Sequence, residues 1–108
     1  IVIGSGAAGL AAALTAADYG KSVIILEKMP VIGGNSLLST GLINAPDPER
    51  QKLVGIEDSN ELFFKQTYDA GHRSGNQELI KVMVENALPT VQWLEKYGIH
   101  FKEEVIQI

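Results

Sequence analysis

The sequence predicts an α/β fold in which a parallel sheet is followed by helices. The chain opens on an apolar run, a small-residue stretch punctuated by glycine, and a second apolar run, which is the order of a βαβ unit. The second run, Val23-Ile24-Ile25-Leu26, is continuous and not alternating, as a strand covered on both faces of a parallel sheet requires. Beyond Asp58 the pattern becomes helical, with its own start and stop signals.

Taken in order, Ile1 to Ile3 is the first strand. Leu10 and Leu14 stand at helical spacing in an Ala-rich stretch, and Gly20 ends that helix where a left-handed residue costs glycine no Cβ clash. Lys21 lies in the connection, and Ser22 to Leu26 is the second strand. From Met29 to about Asp58 the periodicity disappears, and Pro46-Asp47-Pro48 forbids regular structure locally. This reads as a long loop with room for a short helix after Asn35, and structureless connections beyond about 12–15 residues usually serve function or form a lid. Asp58-Ser59-Asn60-Glu61 starts a helix with a capping box and carries Leu62, Phe63, Gln66 and Thr67 toward a stop at Gly71. Asn76 opens the next, with Leu79, Ile80, Val82, Met83 and Leu88 as its apolar face. Pro89 is expected to restart the helix, which then ends at Gly98. Phe63, Phe64, Trp93 and Tyr97 fall at helical spacing with apolar neighbours and are assigned to packing. His100 and Phe101 are assigned to a further strand.

At 108 residues, 45% hydrophobic and 20% charged, the sequence allows at most one modest domain. Nine Lys and Arg against 13 Asp and Glu give a net charge of −4 with the acids scattered, so there is no electrostatic footprint for nucleic acid or anionic lipid. The lack of cysteine removes disulfides and thiolate metal sites, and His72 and His100 make no metal-ligand spacing. The apolar stretch Ala7 to Ala17 is too short for a bilayer span, which takes roughly 20 residues. The chain begins without Met inside a strand and closes on Val105-Ile106-Gln107-Ile108, so it reads as a segment of a larger protein. Cytoplasmic and periplasmic locations both stay open.

The motif with chemical content is Gly4-Ser5-Gly6-Ala7-Ala8-Gly9, between strand and helix. A dinucleotide pyrophosphate has to approach backbone N–H groups at a helix start. Gly4 makes the sharp turn, Gly6 keeps a side chain away from the phosphates, and Gly9 lets helix and sheet approach. Glu27 ends the second strand about 20 residues on, where an acid accepts hydrogen bonds from ribose hydroxyls and repels a 2′-phosphate. NADP is thereby disfavoured. Together these features define a Rossmann-like nucleotide-binding start.

A second glycine pair, Gly33-Gly34, separates flavin from nicotinamide use. The string from Gly4 to Gly34, including Leu10, Ala13, Gly20, Val23 and Glu27, resembles the extended FAD-binding signature of two-dinucleotide flavoproteins. Its continuation, Gly33-Gly34-Asn35-Ser36-Leu37-Leu38-Ser39-Thr40-Gly41-Leu42-Ile43-Asn44, resembles the fumarate reductase and succinate dehydrogenase flavoprotein family, in particular its soluble flavocytochrome c type fumarate reductase and urocanate reductase branch. The resemblance implies that residues 1–108 are the N-terminal segment of an FAD-binding domain, with the rest of that domain and a substrate-capping domain elsewhere. It implies cofactor contacts from Gly4, Ser5, Gly6, Ala7, Ala8 and Gly9, the last four lining or adjoining the diphosphate. Glu27 falls to the adenosine ribose and Lys28 to the adenine end. Asn35 and Ser36 fall to the phosphate and ribityl region, Gly34 and Ser39 are further cofactor contacts, and Thr40, Gly41 and Leu42 fall to the isoalloxazine ring. Leu42 stands where relatives commonly carry glycine. Respiratory members attach flavin through a histidine in this loop, and Ser36 to Asn44 contains none, so the FAD is expected to be noncovalent.

The implied reaction is hydride transfer from flavin N5 to an activated alkene in a small unsaturated carboxylic acid such as fumarate or urocanate, from an undefined electron donor. The residues that bind substrate and donate the proton in such enzymes lie beyond this length, so no catalytic residue is assigned here and the segment alone is expected to be inactive. His72 and Arg73 read as a solvated helix end. The same scaffold also serves 3-oxosteroid dehydrogenases and L-aspartate oxidases. An NAD-dependent dehydrogenase and a non-catalytic nucleotide-binding module are the remaining alternatives.

Overall fold

The computed structural model describes residues 1–102, which divide into two compact units, residues 1–42 and residues from 43 onward. In the first, strand β1 (Val2–Ile3), helix α1 (Ala7–Asp18) and strand β2 (Ile25–Leu26) form the expected βαβ unit. The strands pair in parallel with Val2 opposite Ile25 and Ile3 opposite Leu26. Val2 N donates to Ile24 O and Gly4 N to Leu26 O, both at 2.8 Å, so the glycine turn leaves β1 while still attached to the end of β2.

Helix α1 closes with two bonds that satisfy its last carbonyls: Gly20 N donates to Ala17 O at 2.8 Å and Lys21 N to Ala16 O at 3.1 Å. Gly20 is left-handed there, as the sequence predicts. Ala13 is buried, since an Ala-rich face lets the helix lie close to the sheet. The expectation that the second strand is covered on both faces is not met. Ile25 and Leu26 are 37% and 52% exposed, because the first unit gives β2 one neighbouring strand and one helix and no further layer. Between α1 and β2 runs an apolar groove of about 280 Å³, lined by Leu10, Ala13, Leu14, Ala17, Val23 and Ile25.

The stretch read as one long loop contains two helical pieces. A 3₁₀ turn occupies Gly34–Leu38, where a short helix after Asn35 was anticipated. Helix α2 (Pro48–Leu53) then overturns the assignment of Pro46-Asp47-Pro48 as a local bar to regular structure. Proline is excluded from a helix interior, yet at the first helical position its missing N–H is one of the donors left unpaired anyway. Asp47 caps that helix by accepting from Arg50 N at 3.2 Å. Buried Gln51 accepts from Asp47 N and donates to Asp58 Oδ2, both at 2.7 Å, which ties the two ends of the segment together. Arg50 pairs with Asp47 and with Glu95.

Helix α3 (Asn60–Ala70) starts at Ser59, whose hydroxyl accepts from Leu62 N at 3.1 Å. The box is only half made, because Leu62 and not an acid stands at its third position; Glu61, one residue earlier, has its carboxyl lowered by its own amide and the Ser59 hydroxyl. Gly71 itself is right-handed. The left-handed residues that end α3 are His72 (φ 52°) and Arg73 (φ 57°), with His72 N bonded to Asp69 O and Arg73 N to Tyr68 O at 2.9 Å. Such a backbone costs a non-glycine residue about 1–2 kcal/mol.

Helix α4 (Gln77–Lys96) is capped by Asn76, which accepts from Glu78 N and Leu79 N, and it passes through Pro89 without a break. The expected restart at Pro89 is therefore wrong. An interior proline costs a helix about 3 kcal/mol, but Val84 and Val91, seven residues apart on one face, are 2% and 4% exposed. A break between them would turn one out of the core, and each buried valine contributes about 1.5–3 kcal/mol. The aromatics behave as packing residues, with Trp93 and Tyr97 edge-on at 4.8 Å and Phe64 and Tyr68 stacked at 6.1 Å. His100 and Phe101 are irregular, so the strand assigned to them is not present at these positions, and its continuation lies outside the described residues.

Candidate functional site

The glycine turn, Glu27 and the Gly33 turn meet around one buried side chain. Ser5 is 1% exposed. Its amide and its hydroxyl both donate to Glu27 Oε2, at 2.9 and 2.6 Å, and its hydroxyl oxygen accepts from Gly33 N at 2.9 Å. The directions are fixed, since an ionised carboxylate only accepts and a peptide N–H only donates. Glu27 Oε1 accepts from Met29 N at 2.9 Å. The Ser5 hydroxyl first, then the Met29 and Ser5 amides, hold the half-buried Glu27 carboxyl down from 4.5 to about 2. Glu27 is thus an anion with three donors in place and acceptor capacity left on Oε1.

A second link runs from the 3₁₀ turn. Ser36 Oγ accepts from Ala7 N, the first amide of α1, at 3.1 Å, which leaves the hydroxyl proton available as a donor. The N-cap residue, Gly6, has no side chain to close α1, so apart from the Ser36 hydroxyl on Ala7 N no side chain caps its opening amides among the described residues. The two glycine clusters adjoin: a Cβ built on Gly34 lies 3.5 Å from Gly6 Cα, and one built on Gly6 lies 3.8 Å from Gly33 O. Gly4 needs its freedom for the turn itself, with φ +91°. Gly9 needs its missing side chain, because a Cβ there would sit 2.0 Å from Gly4 O.

The remaining expected residues are more loosely placed. Lys28 and Asn35 are exposed, and Ser39 N bonds back to Ser36 O at 3.3 Å. Thr40, Gly41 and Leu42 follow as exposed, irregular chain with no hydrogen bond to the turn among the described residues. Arg73 Nε donates to Asp69 Oδ1 at 2.7 Å and Lys65 Nζ to Asp69 Oδ2 at 2.8 Å, and these two donors lower the Asp69 carboxyl. That is the helix-end reading made for His72 and Arg73. Sequence reasoning missed that Ser5 and Ser36 turn their hydroxyls to the chain's own amides and carboxylate. The available signal was that Ser5 lies between two glycines and Ser36 two residues after Gly34, where missing side chains let backbone come close.

The acid-unfolding curve follows from Glu27. Its folded carboxyl lies below its unfolded value of 4.5, so its contribution is fully present above that pH and is lost as pH falls toward about 2. Glu27→Gln is expected to melt lower than the parent at pH 6, with the gap closing between pH 4.5 and 2. Parallel melting curves across that window would contradict the bonding described.

A glycine turn opening a helix, an ionised carboxylate held at the end of β2 and a strand-turn-helix scaffold have the form of a dinucleotide-binding unit. The kind of dinucleotide is settled by comparison. The chain belongs to the FAD binding domain family, whose model matches residues 1–107, and its cofactor is FAD. It is 48% identical over 99 residues to the NADH:fumarate oxidoreductase of Klebsiella pneumoniae (strain 342), covering 92% of this chain and 11% of that protein. It is 43% identical over 94 residues to the urocanate reductase of Eggerthella lenta, covering 87% of this chain and 16% of that protein. The open conformation of a flavocytochrome c3 fumarate reductase superposes with a TM-score of 0.82 at 37% identity, over 90% of this chain and 17% of that one. The chain therefore spans between 11% and 17% of the length of these relatives.

The residues present fit FAD on their own chemistry. Gly6 puts no side chain at the start of α1, Glu27 has an acceptor that could serve a ribose hydroxyl, and the α1 amides favour a diphosphate.

Proposed function

We propose that the protein carrying this chain is an FAD-dependent oxidoreductase that reduces the activated carbon–carbon double bond of a small unsaturated carboxylic acid such as fumarate or urocanate, and that residues 1–108 are the first segment of its FAD-binding domain. The observation that carries the cofactor half of this reading is the ionised Glu27 fixed beside the glycine turn that opens α1. The substrate half rests on the likeness to relatives named for fumarate and urocanate. Bound FAD supplies the hydride-transfer chemistry.

The work of this chain is binding and orientation. Gly6, Ala8 and Gly9 present backbone to the diphosphate, with Gly4 and Ala7 shaping the turn around them. Glu27 accepts from the adenosine ribose, and Lys28 flanks the adenine end. Gly34, Asn35, Ser36 and Ser39 adjoin the phosphate and ribityl portion, with the Ser36 hydroxyl proton free to donate. Thr40, Gly41 and Leu42 run along the flavin ring, where backbone donors stabilise charge that develops on reduction. With no histidine from Ser36 to Asn44, the cofactor is held noncovalently.

The purified complete protein is expected to be yellow, to release FAD into the supernatant on acid precipitation, and to reoxidise a reduced dye when fumarate or urocanate is added. Flavin that stays with the pellet would overturn noncovalent attachment. A colourless protein that binds NAD would overturn the whole reading.

A further inference from the structure

Ser5 is buried, yet both polar groups of this residue are committed to segments that the proposed function places around FAD. Its donors go to Glu27, 22 residues on, and its oxygen takes the amide of Gly33, 28 residues on. A serine used only to fill space needs no such partners, and alanine would pack in its place. The arrangement has a directional consequence. Oε2 of Glu27 receives two bonds from Ser5, whereas Oε1 receives Met29 N, with the Lys28 amide a weaker neighbour of the carboxylate, so the spare acceptor capacity falls on Oε1. Without the Ser5 hydroxyl, Oε2 keeps one amide donor, the carboxylate is free to rotate about its last bond, and Gly33 N loses its acceptor.

From this geometry we propose that Ser5 is a positioning residue for the adenosine half of FAD: it touches no part of the cofactor, and it acts by fixing the Glu27 carboxylate so that Oε1 faces the ribose. The proposal rests on the reading that Glu27 binds the adenosine ribose.

The test is a double-mutant cycle on the complete protein, stripped of flavin and titrated with FAD and, separately, with FMN, which lacks the adenylate. Glu27→Gln alone should weaken FAD binding by about tenfold or more, the scale of losing a hydrogen bond to a charged group. Ser5→Ala should weaken FAD by about tenfold in the parent background and by no more than about twofold on top of Glu27→Gln, because its effect passes through that carboxylate. FMN affinity should change by less than about twofold in every variant. Equal losses in both backgrounds, or equal losses for FAD and FMN, would show that Ser5 serves the fold alone and would overturn the proposal. An unchanged FAD affinity in Ser5→Ala would overturn it as well. If Glu27→Gln binds FAD as the parent does, the ribose reading itself fails, and this outcome is distinct from the others. Should Ser5→Ala not fold, as judged by thermal melting of the apoprotein, Ser5→Cys replaces it in the same cycle, since its thiol fills the hydroxyl's place and is a weaker donor.

Discussion

Gly9→Ala is expected to destabilise the protein by about 3 kcal/mol or more, a cost typical of severe overpacking. The added methyl would stand 2.0 Å from Gly4 O and 3.0 Å from Gly4 C. Both are backbone atoms of a turn held at its other end by the 2.8 Å bond from Gly4 N to Leu26 O, so no side chain can swing away to make room. Relief has to come from moving α1 off the sheet, which opens the contact that buries Ala13. Folding free energies are about 5–15 kcal/mol, so such a loss is a large fraction of the whole. Thermal melting and soluble yield read it out. A Gly9→Ala protein melting within about 2 °C of the parent would mean that the helix does not approach the turn this closely.

Gly6→Val should have the opposite profile, an intact fold that has lost its cofactor. Gly6 has ordinary extended backbone (φ −69°, ψ 178°), which valine adopts freely. Its Cβ would meet only Gly33 O at 3.8 Å and Ser36 Oγ at 3.9 Å, both normal contacts. The branched side chain then projects from the start of α1, where the diphosphate is proposed to lie. FAD affinity is expected to fall at least about a hundredfold, or about 2.7 kcal/mol, while circular dichroism and the melting point of the apoprotein stay close to the parent's. Undiminished flavin content in purified Gly6→Val would displace the diphosphate from this place. Read together, the two glycine variants separate a glycine required by the fold from one required by the ligand.

The parts of the molecule legible in the sequence are those whose causes are local. The βαβ start could be read because Gly4, Gly9 and Gly20 each answer a backbone need within a few residues, and Ser59 and Asn76 announced α3 and α4 by capping. Two prolines misled for one reason: the residue type was weighed without its position. Pro48 begins α2 at a site where its lost N–H costs nothing, and Pro89 is carried by the burial of Val84 and Val91 on either side of it. α3 stops at Gly71 as its sequence predicts, but the left-handed backbone that glycine usually supplies at such an end falls instead to His72 and Arg73. At the candidate site a dinucleotide turn and its acidic partner were readable from spacing, and FAD from the family resemblance. The bonds that join Ser5 to Glu27 and Gly33, and Ser36 to Ala7, were not, because they link positions 22 to 29 residues apart and leave no periodic trace.

Those crossed serine bonds bear on how the segment can be engineered. Ser5 answers an amide in the stretch that holds Ser36, and Ser36 answers an amide in the stretch that holds Ser5. A chimera that grafts the opening turn from another flavoprotein and keeps the native second turn breaks one half of this exchange wherever the donor lacks the matching hydroxyl. The transplantable cassette is therefore the whole of residues 1–42, moved with both serines, and not either glycine-rich piece alone.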